Sequence, residues 1–253
     1  MSINTNPQLV GVYPYRLVSS DTDGALSISV REKKWWWYLD LNGEPLHRIG
    51  NACGTCAAVY ARVRDLQVPL GPQELSSRLE QGLHSLPEDV LQTVMPLLPR
   101  GDYLVGLVET SPTRVSAKER PSDVGCEADY FWWQLYERYD KGCRYELVIP
   151  SLPESSLKAD RIDEYCEKLQ QGERPTALAL SMSDQRCIRG EYYETARVHI
   201  LLDGHHKVMA ASRLGLPITI LSFMRENWLT GKHWADPKER EYYAQMTEKL
   251  TSA

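Results

Sequence analysis

The chain lacks any apolar run approaching the ~20 residues that cross a bilayer as a helix, and its start, "MSINTNPQLVGVYPYRL", lacks the basic segment and apolar core of a secretory leader. Both absences predict a cytoplasmic protein with no membrane partner. A basic excess is missing too: 29 Lys and Arg stand against 34 Asp and Glu, a net charge of −5. No general positive field exists to hold nucleic acid irrespective of sequence, so DNA binding is not expected. There is also no internal repeat and no low-complexity tract.

Cysteine is sparse. Of the 6 in the chain, only Cys53 and Cys56 are closely spaced, which excludes a dense disulfide framework and leaves thiols or metal ligands. Phenylalanine is nearly absent, with 2 against 7 Trp and 14 Tyr. Rings with a polar edge suit an interface or a ligand wall as well as a core. What remains is ordinary for a folded protein: 42% hydrophobic and 25% charged residues, in a length that allows one large or two modest units.

Residues 10–50 read as a β-meander, with strand-like runs separated by "SDTDG" and "LNGE". Within "KKWWWYLD", Trp36 must face away from Trp35 and Trp37, which makes one face a candidate aromatic platform. From Cys53 the stretch "CGTCAAVYARVRDLQ" fits a helix through Ala57, Tyr60 and Val63. Two short helices follow in "GPQELSSRLEQGL" and "PEDVLQTVMPLLP", then a strand in "GDYLVGLVET". Residues 111–129 are polar with two prolines and read as a long loop at a domain boundary. "FWWQLYERY" sets Phe131, Leu135 and Tyr139 on one face of a helix that Gly142 would stop.

The second half alternates: strand "YELVIP", helix "ADRIDEYCEKLQQG", strand "TALALSM", an excursion "SDQRCIRGEYYETA", strand "RVHILL", helix "HHKVMAASRLG", strand "ITILSF". The order "LKADRIDEYCEKLQQGERPTALALSM" followed by "VHILLDGHHKVMAASRLGLPITILSF" resembles the ParB/sulfiredoxin superfamily over residues 143–224. The expected fold class is therefore α+β: a β-rich N-terminal domain with short helices over residues 1–125, carrying the CxxC pair, a ParB/sulfiredoxin-like mixed α/β domain over 126–225, and a helical tail over 226–253.

The resemblance implies a nucleoside di- or triphosphate, ATP, ADP or CTP, bound with Mg2+ and with its phosphates at the turn Asp203–Gly204–His205–His206–Lys207. It also implies phosphoryl transfer or hydrolysis acting on a small molecule or a protein partner, with His205, His206 and Lys207 at the chemistry and Glu154 as the base. Elementary physics agrees about the anion: a helix N-terminus offers unpaired N–H groups and the positive end of the helix dipole. Two departures from the family pattern matter. His205 stands where sulfiredoxins carry a reactive cysteine, and Lys207 replaces an arginine and cannot form its bidentate fork. The tail after Phe223 is also too short for the helix-turn-helix module of chromosome-partitioning relatives.

Other readings stand beside this one. Asp203 can simply cap the helix while Gly204 makes the turn and the histidines face solvent. His199, Asp203 and one of the paired histidines are a candidate metal set without a strong spacing rule. Glu154, Asp160, Asp163 and Glu164 also fit a solvated helix face whose acids complement the dipole. Cys53 and Cys56 suit half of a Zn2+ site, with His47 nearby in sequence, or thiol–disulfide exchange, or plain packing. The function classes left open are a nucleotide-dependent enzyme, a non-enzymatic anion- or partner-binding regulatory protein, and a thiol-redox or zinc protein.

Overall fold

A computed structural model describes residues 16–20, 24–31, 36–51, 60–65, 73–119, 126–140, 142–188 and 192–225. In chain order these form β1 (Arg16–Ser20), β2 (Leu26–Arg31), β3 (Trp36–Leu41), β4 (Glu44–Asn51), β5 (Tyr60–Arg62), α1 (Gln73–Gln81), α2 (Glu88–Val94) and β6 (Gly101–Thr110). Then follow β7 (Thr113–Ser116), β8 (Tyr130–Tyr139), β9 (Gly142–Ile149), α3 (Ala159–Gln170), β10 (Thr176–Ile188), β11 (Tyr192–Asp203), α4 (His205–Leu214) and β12 (Ile218–Arg225). Cys53, Cys56 and the expected tail 226–253 lie outside the described residues. No helix among the described residues is long and apolar enough to cross a membrane.

Eight strands make one sheet in the order β1-β6-β12-β10-β11-β9-β8-β7, and β2-β3-β4-β5 make a second, antiparallel one. Strands from both sides of residue 125 hydrogen-bond in the larger sheet: β6 pairs with β12 along its length, and β1 pairs with β6. The fold is thus mixed α and β with a β-rich part.

Alternation along the central strands sorts the core into two clusters. On β10, Leu178, Leu180 and Met182 face the smaller sheet together with Leu39, Leu46 and Ile49 and with Leu75 and Leu79 of α1. Ala177 and Ala179 face the other way, against Val208, Met209 and Ala211 of α4 and Ile162, Tyr165 and Leu169 of α3. Methyl groups on that side let the helices approach the sheet, while the leucines fill the wider space opposite.

Several expected elements differ. Tyr130–Tyr139 is strand β8, not a helix. Its aromatic residues bury both faces of a strand: Tyr130 and Trp132 lie under the helices, Phe131 lies in the inter-sheet core, and Leu135 is 39% exposed. Bulky aromatics suit a pleated, doubly covered surface, and that burial overrides the helical spacing. Gly142 opens β9 and stops no helix. Tyr60, expected in a helix after the cysteines, begins β5, and the polar stretch after Thr110 contains β7. The excursion after Met182 continues β10 and β11 as one long hairpin in regular register. In the triple-Trp run, the guanidinium of Arg48 lies 4.5 Å from the ring centre of Trp36, while Trp37 packs partly against the inter-sheet core.

The strand assignment of β8 predicts unequal costs along it. Trp132→Ala should lower unfolding free energy by about 3–5 kcal/mol, and Leu135→Ala by less than about 0.5 kcal/mol, as read from urea midpoints. Comparable losses at the two positions would contradict this burial.

Candidate functional site

β11 runs buried to Asp203, and α4 starts two residues later. Gly204 makes the junction with φ 93° and ψ 18°, in the left-handed region. A Cβ at Gly204 would also stand 2.7 Å from Cβ and 2.8 Å from Cα of Ala177, so both conformation and space require glycine here. A bulge in the β10–β11 pairing at Leu178/Ala179 lies opposite the same turn. At its far end α4 closes on Gly215, also left-handed, with the Leu216 N–H on the Ala211 carbonyl at 3.0 Å.

The two histidines take opposite directions, as neighbours on a helix must. His205 turns inward and is 5% exposed, and its Nε2 accepts the backbone N–H of Ser151 at 2.9 Å. His206 stays at the surface, where its Nε2 accepts the backbone N–H of Lys158 at 3.0 Å. Ser151 and Lys158 are the two ends of the loop that joins β9 to α3, so the histidine pair holds that loop at both ends. Neither ring is simply solvated. Each must be neutral to accept its bond, and burial lowers both pKa values, that of His205 to about 4 with the Asp203 carboxylate pulling the other way.

Ser151 ties in a third element. Its hydroxyl donates to the Leu201 carbonyl of β11, and His47 Nε2 of β4 lies 3.3 Å from the same oxygen. This links the smaller sheet to the start of α4. His47 is fully buried, and burial together with Arg62 lowers its pKa to about 3.

Lys207 does not face outward as a phosphate hook. It is 3% exposed, its Nζ donates to the Thr176 carbonyl at 2.9 Å, and the Asp203 carboxylate lies 3.6 Å away. Asp203 makes no side-chain cap on α4; it faces Lys207 instead. Burial lowers the Lys207 pKa, opposed by Asp203 and Glu80. Glu154 is held as well: Arg114 of β7 grips its two oxygens at 2.8 and 2.7 Å, and the Arg114 backbone N–H bonds Ser212 of α4 at 2.9 Å.

The sequence reading passed over the cations that do face this rim. Burial lowers the pKa of both His206 and Lys207, and the charge of Arg161, in the first turn of α3, adds to that lowering. Its guanidinium bonds Glu80 of α1 at 2.8 Å, Glu164, and the Tyr165 hydroxyl at 3.1 Å. The Lys158 side chain adds a charge felt by His206. Burial opposes it, yet hydrogen bonds from Tyr165 and Arg161 hold the Glu80 carboxyl below its ordinary range. Asp160 and Asp163 sit on the exposed side of α3, and Asp163 pairs with Arg213 at 3.3 Å.

A second polar set crosses five adjacent strands. Ser222 donates to Ser181 at 2.8 Å, Ser181 lies 2.7 Å from His199 Nδ1, His199 Nε2 lies 3.6 Å from Glu146, and Tyr136 donates to Glu146. Serine, histidine and glutamate are the members of a nucleophile relay, but Ser181 and His199 are fully buried in mid-strand and the His199–Glu146 gap exceeds a hydrogen bond. The set is a polar seam within the sheet. It also separates His199 from Asp203 and His205, which have their own partners, and among the described residues no group of three potential ligands converges on a metal position. Cys126 and Cys143 are buried in the core, and Cys166 is half-buried on α3.

The neutral histidines give stability a pH dependence. His205 titrates near 6.5 when unfolded and about 4 when folded, so its contribution is complete above pH 6.5 and is lost as pH falls through 4. The melting temperature should drop between pH 7 and pH 4. His205→Ala should melt lower than the parent at pH 7 and show a shallower drop; an equal slope would remove His205 from this role.

Compared with protein-family models, with curated protein sequences and with solved structures, the chain finds no match.

Proposed function

We propose that the chain binds a nucleoside di- or triphosphate with Mg2+ at the rim where α3 and α4 begin, in the cytoplasm, as a ParB/sulfiredoxin-like nucleotide-binding protein. The observation that carries this is the pairing of two helix starts. The His206–Lys158 bond holds the first turns of α3 and α4 side by side, and Arg161 and Lys207 both lie against the ring of Tyr165, at 5.1 and 6.0 Å from its centre. Two helix dipoles and the N–H groups at the start of α4 then favour one anion, and a guanidinium supplies the bidentate fork that Lys207 cannot.

The roles differ from those the sequence suggested. Gly204 and the α4 backbone would meet the phosphates, and Arg161 and Lys158 would supply the outward charge beside a neutral His206. Lys207 and His205 support the turn from below. Asp203 is the carboxylate at the rim suited to share Mg2+ with phosphate oxygens. Binding, and not phosphoryl transfer, is what these groups favour. His205 and His206 already use Nε2 as an acceptor and Glu154 is clamped by Arg114, so no base stands free among the expected residues. The reading is therefore a nucleotide-dependent regulatory or partner-binding protein.

Titration calorimetry with ATP, ADP and CTP in the presence of Mg2+ tests it. The parent should bind at least one of them, and Arg161→Ala should weaken that binding by about tenfold or more, the loss of a charge-assisted pair. No heat at millimolar nucleotide would sink the proposal. A nucleotide consumed on long incubation would replace binding with catalysis.

A further inference from the structure

The cation best placed to grip phosphate is not free. Arg161 is held by Glu80, which belongs to α1, an element outside the stretch that carries the family resemblance. One oxygen of Glu80 accepts from the Arg161 guanidinium at 2.8 Å and from the Tyr165 hydroxyl at 2.9 Å, and Glu164 binds the other side of the guanidinium. The guanidinium carbon lies 5.1 Å from the Tyr165 ring centre, which fixes its plane against α3. Arg161 and Glu80 are both more than a third exposed, so their pair is weak enough for a phosphate to displace.

We infer that Glu80 is an autoinhibitory latch: it competes with the nucleotide's phosphate for Arg161, and α1 thereby sets the affinity of the rim. This rests on the nucleotide reading above. Phosphate entering the rim takes the Arg161 fork and leaves Glu80 bonded to Tyr165 alone. The latch thus couples α1 to the site through one ion pair on its exposed side, Glu80–Arg161.

Calorimetry with the nucleotide that binds, on the full chain with Mg2+, separates the outcomes. Glu80→Gln keeps an acceptor for Tyr165 and removes the charge; it should bind about two- to five-fold tighter than the parent, the range of an exposed ion pair. In the Arg161→Ala background the same change should give no gain. Tyr165→Phe, which leaves the Glu80–Arg161 pair in place, should bind as the parent does. If the parent binds and Arg161→Ala weakens it, but Glu80→Gln gives no gain, the latch is overturned and the nucleotide reading stands. A gain that persists without Arg161 means direct repulsion of phosphate and also overturns it. An equal gain in Tyr165→Phe means a loosened α1 and does the same. If no nucleotide binds to any variant, both readings fall together.

Discussion

The backbone N–H of Ser151 donates to Nε2 of His205, and this bond decides how the start of α4 faces the solvent. With His205 drawn inward, its neighbour must lie on the outside, where it meets Lys158 at the head of α3. The same serine reaches Leu201 with its hydroxyl and meets His47 from the smaller sheet. The consecutive β11 and α4 and the distant β4 therefore meet on one small residue, 1% exposed. The bond needs a neutral imidazole, and the apolar surroundings that keep His205 neutral also make an unmade bond there costly.

Charge placement follows from that geometry. Lys207 puts a cation in the first turn of α4, at the positive end of the dipole, which alone is unfavourable. Asp203 one turn back, the Thr176 carbonyl and the face of Tyr165 offset it. At the surface above, Arg161 and Lys158 stand beside a neutral His206, with Glu80 and Glu164 bonded to the Arg161 guanidinium. The loop from Ser151 to Lys158 is held at its ends by the histidines and in the middle by Arg114 on Glu154.

How much of this was legible depends on sequence distance. The helix over Ala159–Gln170, the strand–glycine–helix passage at Gly204 and the stop at Gly215 are local signals, and the structure has them. β8 was misread because Phe131, Leu135 and Tyr139 fit a helical stripe, and only the covering of both sheet faces decides against it. The fates of His205 and Lys207 were hidden for a related reason. His205 meets a partner 54 residues away and Lys207 one 31 residues away, and no periodicity reports on either. Arg161 and Glu80 are ordinary helix-surface residues by composition; they acquire meaning only where α1 and α3 meet.

The polar seam from Ser222 through Ser181 and His199 to Glu146 bears on how the sheet assembles. An apolar strand in a covered sheet can slip by two residues and still present the same faces, so hydrophobic pattern alone leaves its alignment degenerate. Here each hydroxyl and ring meets its neighbour at one alignment only. Displacing β12, β10 or β11 by a single pleat repeat would break the Ser222–Ser181 or the Ser181–His199 contact and leave a buried hydroxyl or imidazole nitrogen without its partner. The seam works as a ruler laid across three strands, penalising misaligned pairings that the leucines and alanines would otherwise accept.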